Sequence, residues 1–210
     1  MASIGKRPYH HGDLRNALID ATLALVDEKG IDGFTMTDAA RRAGVSGAAP
    51  YRHFADRNAL VATASAEGFA ALHQVLLAAV QASAGDPAAV AAELAAHYVK
   101  FAEASAARFA LMFSSGIDKA AYPELMSAIT QPQVLLEDAV RALPAVTGPA
   151  GKEASALWSI AHGVATLAVN GLLDVPEGRE SRASDAAKDI VRTWLTGLNQ
   201  TRAGRTMIPG

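Results

Sequence analysis

Residues 34–60 read FTMTDAARRAGVSGAAPYRHFADRNAL, and their pattern decides the fold. Thr35 followed by Asp38 predicts a capping box, with Asp in the place of the usual Glu, at the start of a short helix. Gly44 can take the left-handed conformation that stops such a helix. Val45 then plugs the angle to a second short helix, which Ser46 caps. Two short helices joined by Ala43-Gly44-Val45-Ser46 predict a helix-turn-helix, a geometry in which the second helix enters the DNA major groove.

Outward from that stretch, helix signals repeat along the chain. Asp13 is placed to cap a helix with Leu14, Ala17, Leu18, Ala21 and Leu25 on one face, and Gly30 to end it. Asp56 opens a helix to about Ser83, and Gly85-Asp86-Pro87 breaks it, with Pro87 suited to start the next. Further helices are expected over about 88–105, 107–115, 122–143, 151–174 and 184–200, with a disordered tail at 201–210. No strand alternation or internal repeat is present. The expected fold is all-α, of about nine helices: a DNA-binding domain at 1–60 and a helical-bundle sensor and dimer domain at 61–200.

Composition agrees. Half of the 210 residues are hydrophobic and 19% are charged, too apolar a balance for a disordered chain. The absence of cysteine excludes disulfides, thiolate metal sites and cysteine nucleophiles. The net charge of −2 hides an uneven distribution: residues 34–60 carry Arg41, Arg42, Arg52 and Arg57 against Asp38 and Asp56. Residues 61–210 hold 11 Lys/Arg against 14 Asp/Glu, so a basic end sits on an acidic body. The start, MASIGKRPYHHGDLR, has no apolar stretch behind its basic residues, which predicts no signal peptide and a cytoplasmic protein.

The 34–60 stretch resembles the N-terminal pattern of the TetR family of transcriptional regulators. Thr35, Met36, Ala39, Ala40, Ala43, Gly44, Val45, Ser46, Tyr51, His53, Phe54 and Leu60 match it, with Arg57 where the family has Lys. Trp158, His162 and Gly163 resemble the Trp-x-x-x-His-Gly signature of one subgroup, as does the upstream run from Tyr9 to Arg15. The resemblance implies a DNA-facing set of Thr37, Arg42, Ser46, Gly47, Ala48, Ala49, Tyr51, Arg52, His53 and Arg57. Within it Tyr51 and Arg57 would contact phosphates, and Thr37, Gly47, Ala48, Ala49 and Arg52 would face bases. Because Gly47, Ala48 and Ala49 have no hydrogen-bonding side chains, direct readout should be thin and rest on Arg52 and Thr37. Lys6, Arg7, His10 and His11 form either an arm for the minor groove or a solvated terminus.

The resemblance also implies a homodimer on a palindromic operator, most simply a repressor released by a small molecule. A mostly apolar effector pocket is expected from His97, Tyr98, Phe101, Phe109, Met112, Phe113, Trp158 and His162, although such residues also build plain cores. Helices 151–174 and 184–200 should pair across the two-fold axis. No cofactor is implied. Two other classes compete with this reading. Residues 154–173 carry no charge over 20 residues, enough to span a bilayer, yet they include Ser155, Ser159, His162, Thr166 and Asn170 and suit a buried bundle helix better. Ser159 and His162 are three apart, but no nucleophile turn or positioned acid accompanies them, so a buried hydrogen-bonded pair is expected rather than an enzyme. His10 and His11 beside Asp13 do not complete a closed ligand shell, so no metal site is expected.

Overall fold

The computed structural model describes residues 11–83, 85–114, 116–173 and 182–206, and among these every regular element is helical. Eight α-helices follow in order: α1 (His11–Lys29), α2 (Met36–Arg42), α3 (Arg57–Ala82), α4 (Pro87–Ala104), α5 (Ala106–Met112), α6 (Pro123–Arg141), α7 (Gly151–Val169) and α8 (Arg182–Thr206). Two 3-10 turns, Pro50–Arg52 and Lys119–Ala121, complete the described set.

Local chemistry explains most of the boundaries. Gly30 ends α1 at φ +75°, with its N–H bonded to the Val26 carbonyl. Asp56 accepts from the Ala59 N–H at 2.8 Å just before α3, and Asp86 accepts from Ala88 at 3.0 Å with Pro87 at the first position of α4. Helix α6 runs through Pro132, which has no N–H for the helical ladder.

Four expectations need correction. Helix α1 begins at His11, so Asp13 lies inside it rather than capping it. The segment after Ser46 is a 3-10 turn and not a capped α-helix, because Pro50 in its middle has no N–H to bond back. Helix α7 stops at Val169 instead of about 174, where Gly171 turns the chain at φ +67°. Helix α8 continues to Thr206, so 201–206 is helical, while 207–210 and the connector around Pro176 and Gly178 lie outside the described residues.

By packing, the chain forms two compact units. The first comprises Met1–Ala66 with Ala107–Met126. Its core gathers Leu18, Leu25 and Val26 of α1, Phe34, Met36, Ala39, Phe54, Leu60 and Val61, together with Leu111 of α5. The buried Ser65 hydroxyl donates to the Leu111 carbonyl at 3.2 Å, fastening α5 to α3. A cut after residue 60 would therefore leave out α5, which belongs to this core.

The second unit comprises Glu67–Ala106 with Ser127–Gly210. There α4 packs against both α7 and α8, burying Ala91, Ala95, Val99 and Ala102 of α4 with Leu157, Ala161 and Ala165 of α7 and Ala187 and Val191 of α8. Small residues at these positions let the helices approach closely. A half-buried ion pair, Lys188 Nζ to Glu93 Oε1 at 2.7 Å, ties α8 to α4. Helix α7, which carries the uncharged stretch beginning at Ala154, is thus a body helix of this unit. Among the described residues only α3 is long and apolar enough to cross a membrane, and half of its apolar window is buried within the protein.

Candidate nucleic-acid interface and ligand-lining residues

The reading head is assembled from backbone hydrogen bonds before any side chain faces outward. Thr35 Oγ1 accepts from the Asp38 N–H at 3.1 Å, and Asp38 Oδ2 accepts from the Thr35 N–H at 3.0 Å, so both halves of the capping box form. These bonds from Thr35 hold the Asp38 carboxyl below the usual carboxylate range, helped by Lys29 and Arg41. At the other end of α2, Gly44 (φ +73°) donates to the Arg41 carbonyl and Val45 to the Ala40 carbonyl, at 3.2 and 3.0 Å. These two bonds make a Schellman-like stop, and it turns Val45 onto the core of the first unit.

Beyond the turn the chain advances by single hydrogen-bonded turns. Ala49 N–H bonds to Ser46 O, Arg52 to Ala49, and both His53 and Phe54 to Pro50. Buried Pro50 and Phe54 anchor this segment, and half-buried Ala49 packs on the same core. Thr37, Ser46, Gly47, Ala48, Tyr51, Arg52 and His53 remain exposed, Tyr51 with 57% of its surface. A phenol so exposed on a short turn is placed to reach a partner.

The cations of this stretch behave differently from one another. Arg41 pairs with Asp38, and Arg42 pairs with Glu28 of α1, which lowers the Glu28 carboxyl through the hydrogen bond from Arg42. The family resemblance would send Arg57 to a phosphate. Its guanidinium instead donates to the carbonyls of Phe34, at 3.0 Å, and Ile31, and it stacks over the Phe34 ring at 4.3 Å. Arg52 is exposed, and its guanidinium has no hydrogen-bond or ion-pair partner among the described residues. The arm with Lys6, Arg7 and His10 lies outside the described residues.

Sequence reasoning missed Gly33. A Cβ there would clash with the Lys29 carbonyl oxygen and stand 2.7 Å from the Lys29 Cβ, so only glycine fits the loop that Arg57 clasps. The loop's length and the glycine type were visible, but the close approach to α1 was not.

The expected ligand-lining residues divide between the units. In the second, Tyr98 of α4 and His162 of α7 are joined by a hydrogen bond of 2.9 Å, and the Trp158 ring lies 5.4 Å from that of His162. Burial drives the Tyr98 hydroxyl well above its ordinary range, with a hydrogen bond from Trp158 acting the other way. Burial also lowers the His162 pKa, so the ring that meets the Tyr98 hydroxyl through Nδ1 favours its neutral form. His97 instead bonds through Nδ1 to the Glu93 backbone carbonyl at 2.9 Å, and Phe101 is half-buried. In the first unit, Phe109 and Met112 are core residues, the Phe109 and Phe113 rings lie 4.9 Å apart, and Lys119 donates to the Met112 carbonyl. The expected Ser159–His162 pair does not form, because Ser159 is exposed and donates to the Ser155 carbonyl.

Comparison with known proteins bears on both units. A family model for "Bacterial regulatory proteins, tetR family" matches residues 18–64, and one for "Tetracyclin repressor-like, C-terminal domain" matches residues 91–190. A solved protein of unknown function from Rhodococcus sp. RHA1 is 32% identical, covering 91% of this chain and 98% of its own, with a TM-score of 0.77. The TetR family transcriptional regulator PfmR from Thermus thermophilus is 16% identical, covering 86% and 96%, with a TM-score of 0.64. The ketosteroid transcriptional regulator KstR2 of Mycobacterium tuberculosis is also 16% identical, covering 87% and 93%, with a TM-score of 0.62. At those identities the last two likenesses speak for the fold. Comparison with curated proteins gives no match.

Proposed function

The chain belongs to the TetR family of DNA-binding transcriptional regulators, and we propose that it acts as a homodimeric repressor of a palindromic operator, released by a small, mostly apolar effector. Regulators of this family are not enzymes. One observation carries the reading. The Thr35–Asp38 box and the Gly44 turn fix both ends of α2, and Tyr51, Arg52 and His53 stay exposed on a turn anchored by buried Pro50 and Phe54.

In this reading Arg52 and Thr37 touch base edges, Tyr51 touches a phosphate, and the backbone at Gly47 and Ala48 approaches the groove closely. Arg42 and Arg57 act through the protein, by holding α1 and the 30–34 loop. Pairing of two copies doubles a contact that a three-residue turn makes poorly alone. Exposed apolar side chains on and beside α7 and α8, namely Trp158, Leu167, Leu172 and Ile190, support that pair as the interface. The Trp158–His162–Gly163 wording supports the Trp-His-Gly subgroup, and the operator locates the protein in the cytoplasm.

Selection of genomic fragments on the purified protein, followed by gel shift of the best fragment, tests the proposal. One inverted repeat bound with steep salt dependence is expected. Uniform binding to all fragments, or binding by a single copy, overturns it.

A further inference from the structure

Between α3 and α6, within the second unit, lies an open cleft of about 420 Å³ lined by His73, Ser127, Thr130, Gln131 and Val134. None of these residues belongs to the expected effector lining. The volume falls in the range of small-molecule sites, about 300–1,000 Å³. Ser127 and Gln131 stand one helical turn apart on α6, with Val134 three residues beyond, so the three share a face.

The histidine decides what this cleft prefers. Its Nδ1 is sealed from solvent and has no hydrogen-bond partner, and Nε2 is not orphaned in that way. A neutral imidazole carries one N–H and one lone pair. The sealed Nδ1 has no acceptor for a proton and a neutral histidine side chain already favours the Nε2–H tautomer, so the lone pair is assigned to Nδ1 and the proton to Nε2. His73 therefore presents a donor of fixed tautomer at the cleft wall. Ser127 and Gln131 are exposed and can each donate beside it. No Lys, Arg, Asp or Glu lines the cleft, so a charged ligand would find no counter-ion there.

We infer that this cleft binds an uncharged small molecule with a carbonyl oxygen, which accepts from His73 Nε2–H while its hydrocarbon part lies along Val134. The inference rests on the reading of the chain as an effector-released regulator and gives that effector a chemical class. Acceptor, neutrality and apolar tail each follow from a wall group: the imidazole N–H, the missing counter-ions and the valine.

The experiment uses the full chain with 15N-labelled histidine. Long-range 1H–15N correlations report the His73 tautomer, and 2-octanone is the probe, with octanoate as its charged counterpart. The expected result is an Nε2–H tautomer whose ring nitrogens shift on adding 2-octanone. Octanoate should bind at least ten-fold more weakly. His73→Phe should weaken 2-octanone at least ten-fold, and Gln131→Ala, on the exposed side of α6, should do so several-fold without affecting folding. An Nδ1–H tautomer, equal binding of octanoate, or no shift with 2-octanone overturns the inference. Gel shifts separate it from the broader reading. If 2-octanone shifts His73 but leaves the operator complex intact, the cleft stands and effector release fails. If another molecule releases the operator while 2-octanone leaves His73 unmoved, the broader reading stands and the cleft fails.

Discussion

The Arg57 guanidinium lies 4.3 Å from the centroid of the Phe34 ring while donating to the carbonyls of Phe34 and Ile31. One planar fork thus satisfies two backbone acceptors and covers an aromatic face, which a lysine ammonium cannot do at once. Arg57→Lys should lose about 1–2 kcal/mol of stability, read as a lower midpoint in urea. Removing the charge with Arg57→Gln should leave the salt slope of operator binding unchanged, whereas Arg52→Ala should relax the preference at one base pair. If Arg57→Gln lowers the slope by about one with the midpoint unmoved, Arg57 is a phosphate ligand after all.

Gly33→Ala probes the same loop from its other side. The added methyl would run into the Lys29 carbonyl oxygen, and a backbone atom has little room to retreat. A loss of about 1–3 kcal/mol is expected, visible as a drop of roughly 3–10 °C in Tm. Gly47→Ala, where an added Cβ meets nothing within 4 Å, is the control and should leave Tm nearly in place. Equal Tm values for the two variants would contradict the packing of Gly33 on α1.

These two residues mark where the sequence stops being legible. The capping box at Thr35 and Asp38, the Gly44 stop and the caps at Asp56 and Asp86 are short-range, so residue type and spacing suffice to place them. The inward turn of Arg57 and the need for glycine at 33 depend on partners brought close by folding, which no local pattern encodes. The same holds for α5, which sequence assigns to the body although Ser65 and Leu111 bind it to the first unit. The segment after Ser46 departs from expectation for a different reason. Pro50 is tolerated in a first turn, but within so short a segment its missing N–H leaves a 3-10 turn closed by one α-type bond, Phe54 to Pro50, rather than a full α-helix. In the ligand set, aromatic type and helical spacing pointed to Tyr98 and His162 separately, but they encoded neither the bond between the two nor the difference between core residues such as Met112 and lining ones.

The pKa of His162 gives a pH dependence with a definite sign. Burial lowers it in the folded protein, so the unfolded chain binds the proton more readily. The neutral ring's contribution is complete above the unfolded pKa of about 6.5 and declines as pH falls from there toward the folded value. Wild type should therefore lose stability relative to His162→Gln between about pH 7.5 and 5. Paired thermal melts across that interval read the difference, and a gap that stays constant or widens in favour of wild type removes His162 as the cause.

Ile190 and Leu167 test the proposed pairing. Both are large apolar side chains with more than two fifths of their surface exposed, on α8 and α7, and neither supports the core of its own unit. Glutamate at either position would then be harmless in a monomer, but at a two-fold interface it appears twice and must be desolvated on both sides. Ile190→Glu and Leu167→Glu are expected to sediment as folded single copies at micromolar concentration, with unchanged helical circular dichroism. Operator affinity should fall by at least ten-fold in both, because a lone turn at 50–52 contacts few base pairs. Variants that remain dimeric would move the interface away from α7 and α8. Variants that become monomeric yet bind the operator fully would show instead that one reading head is enough.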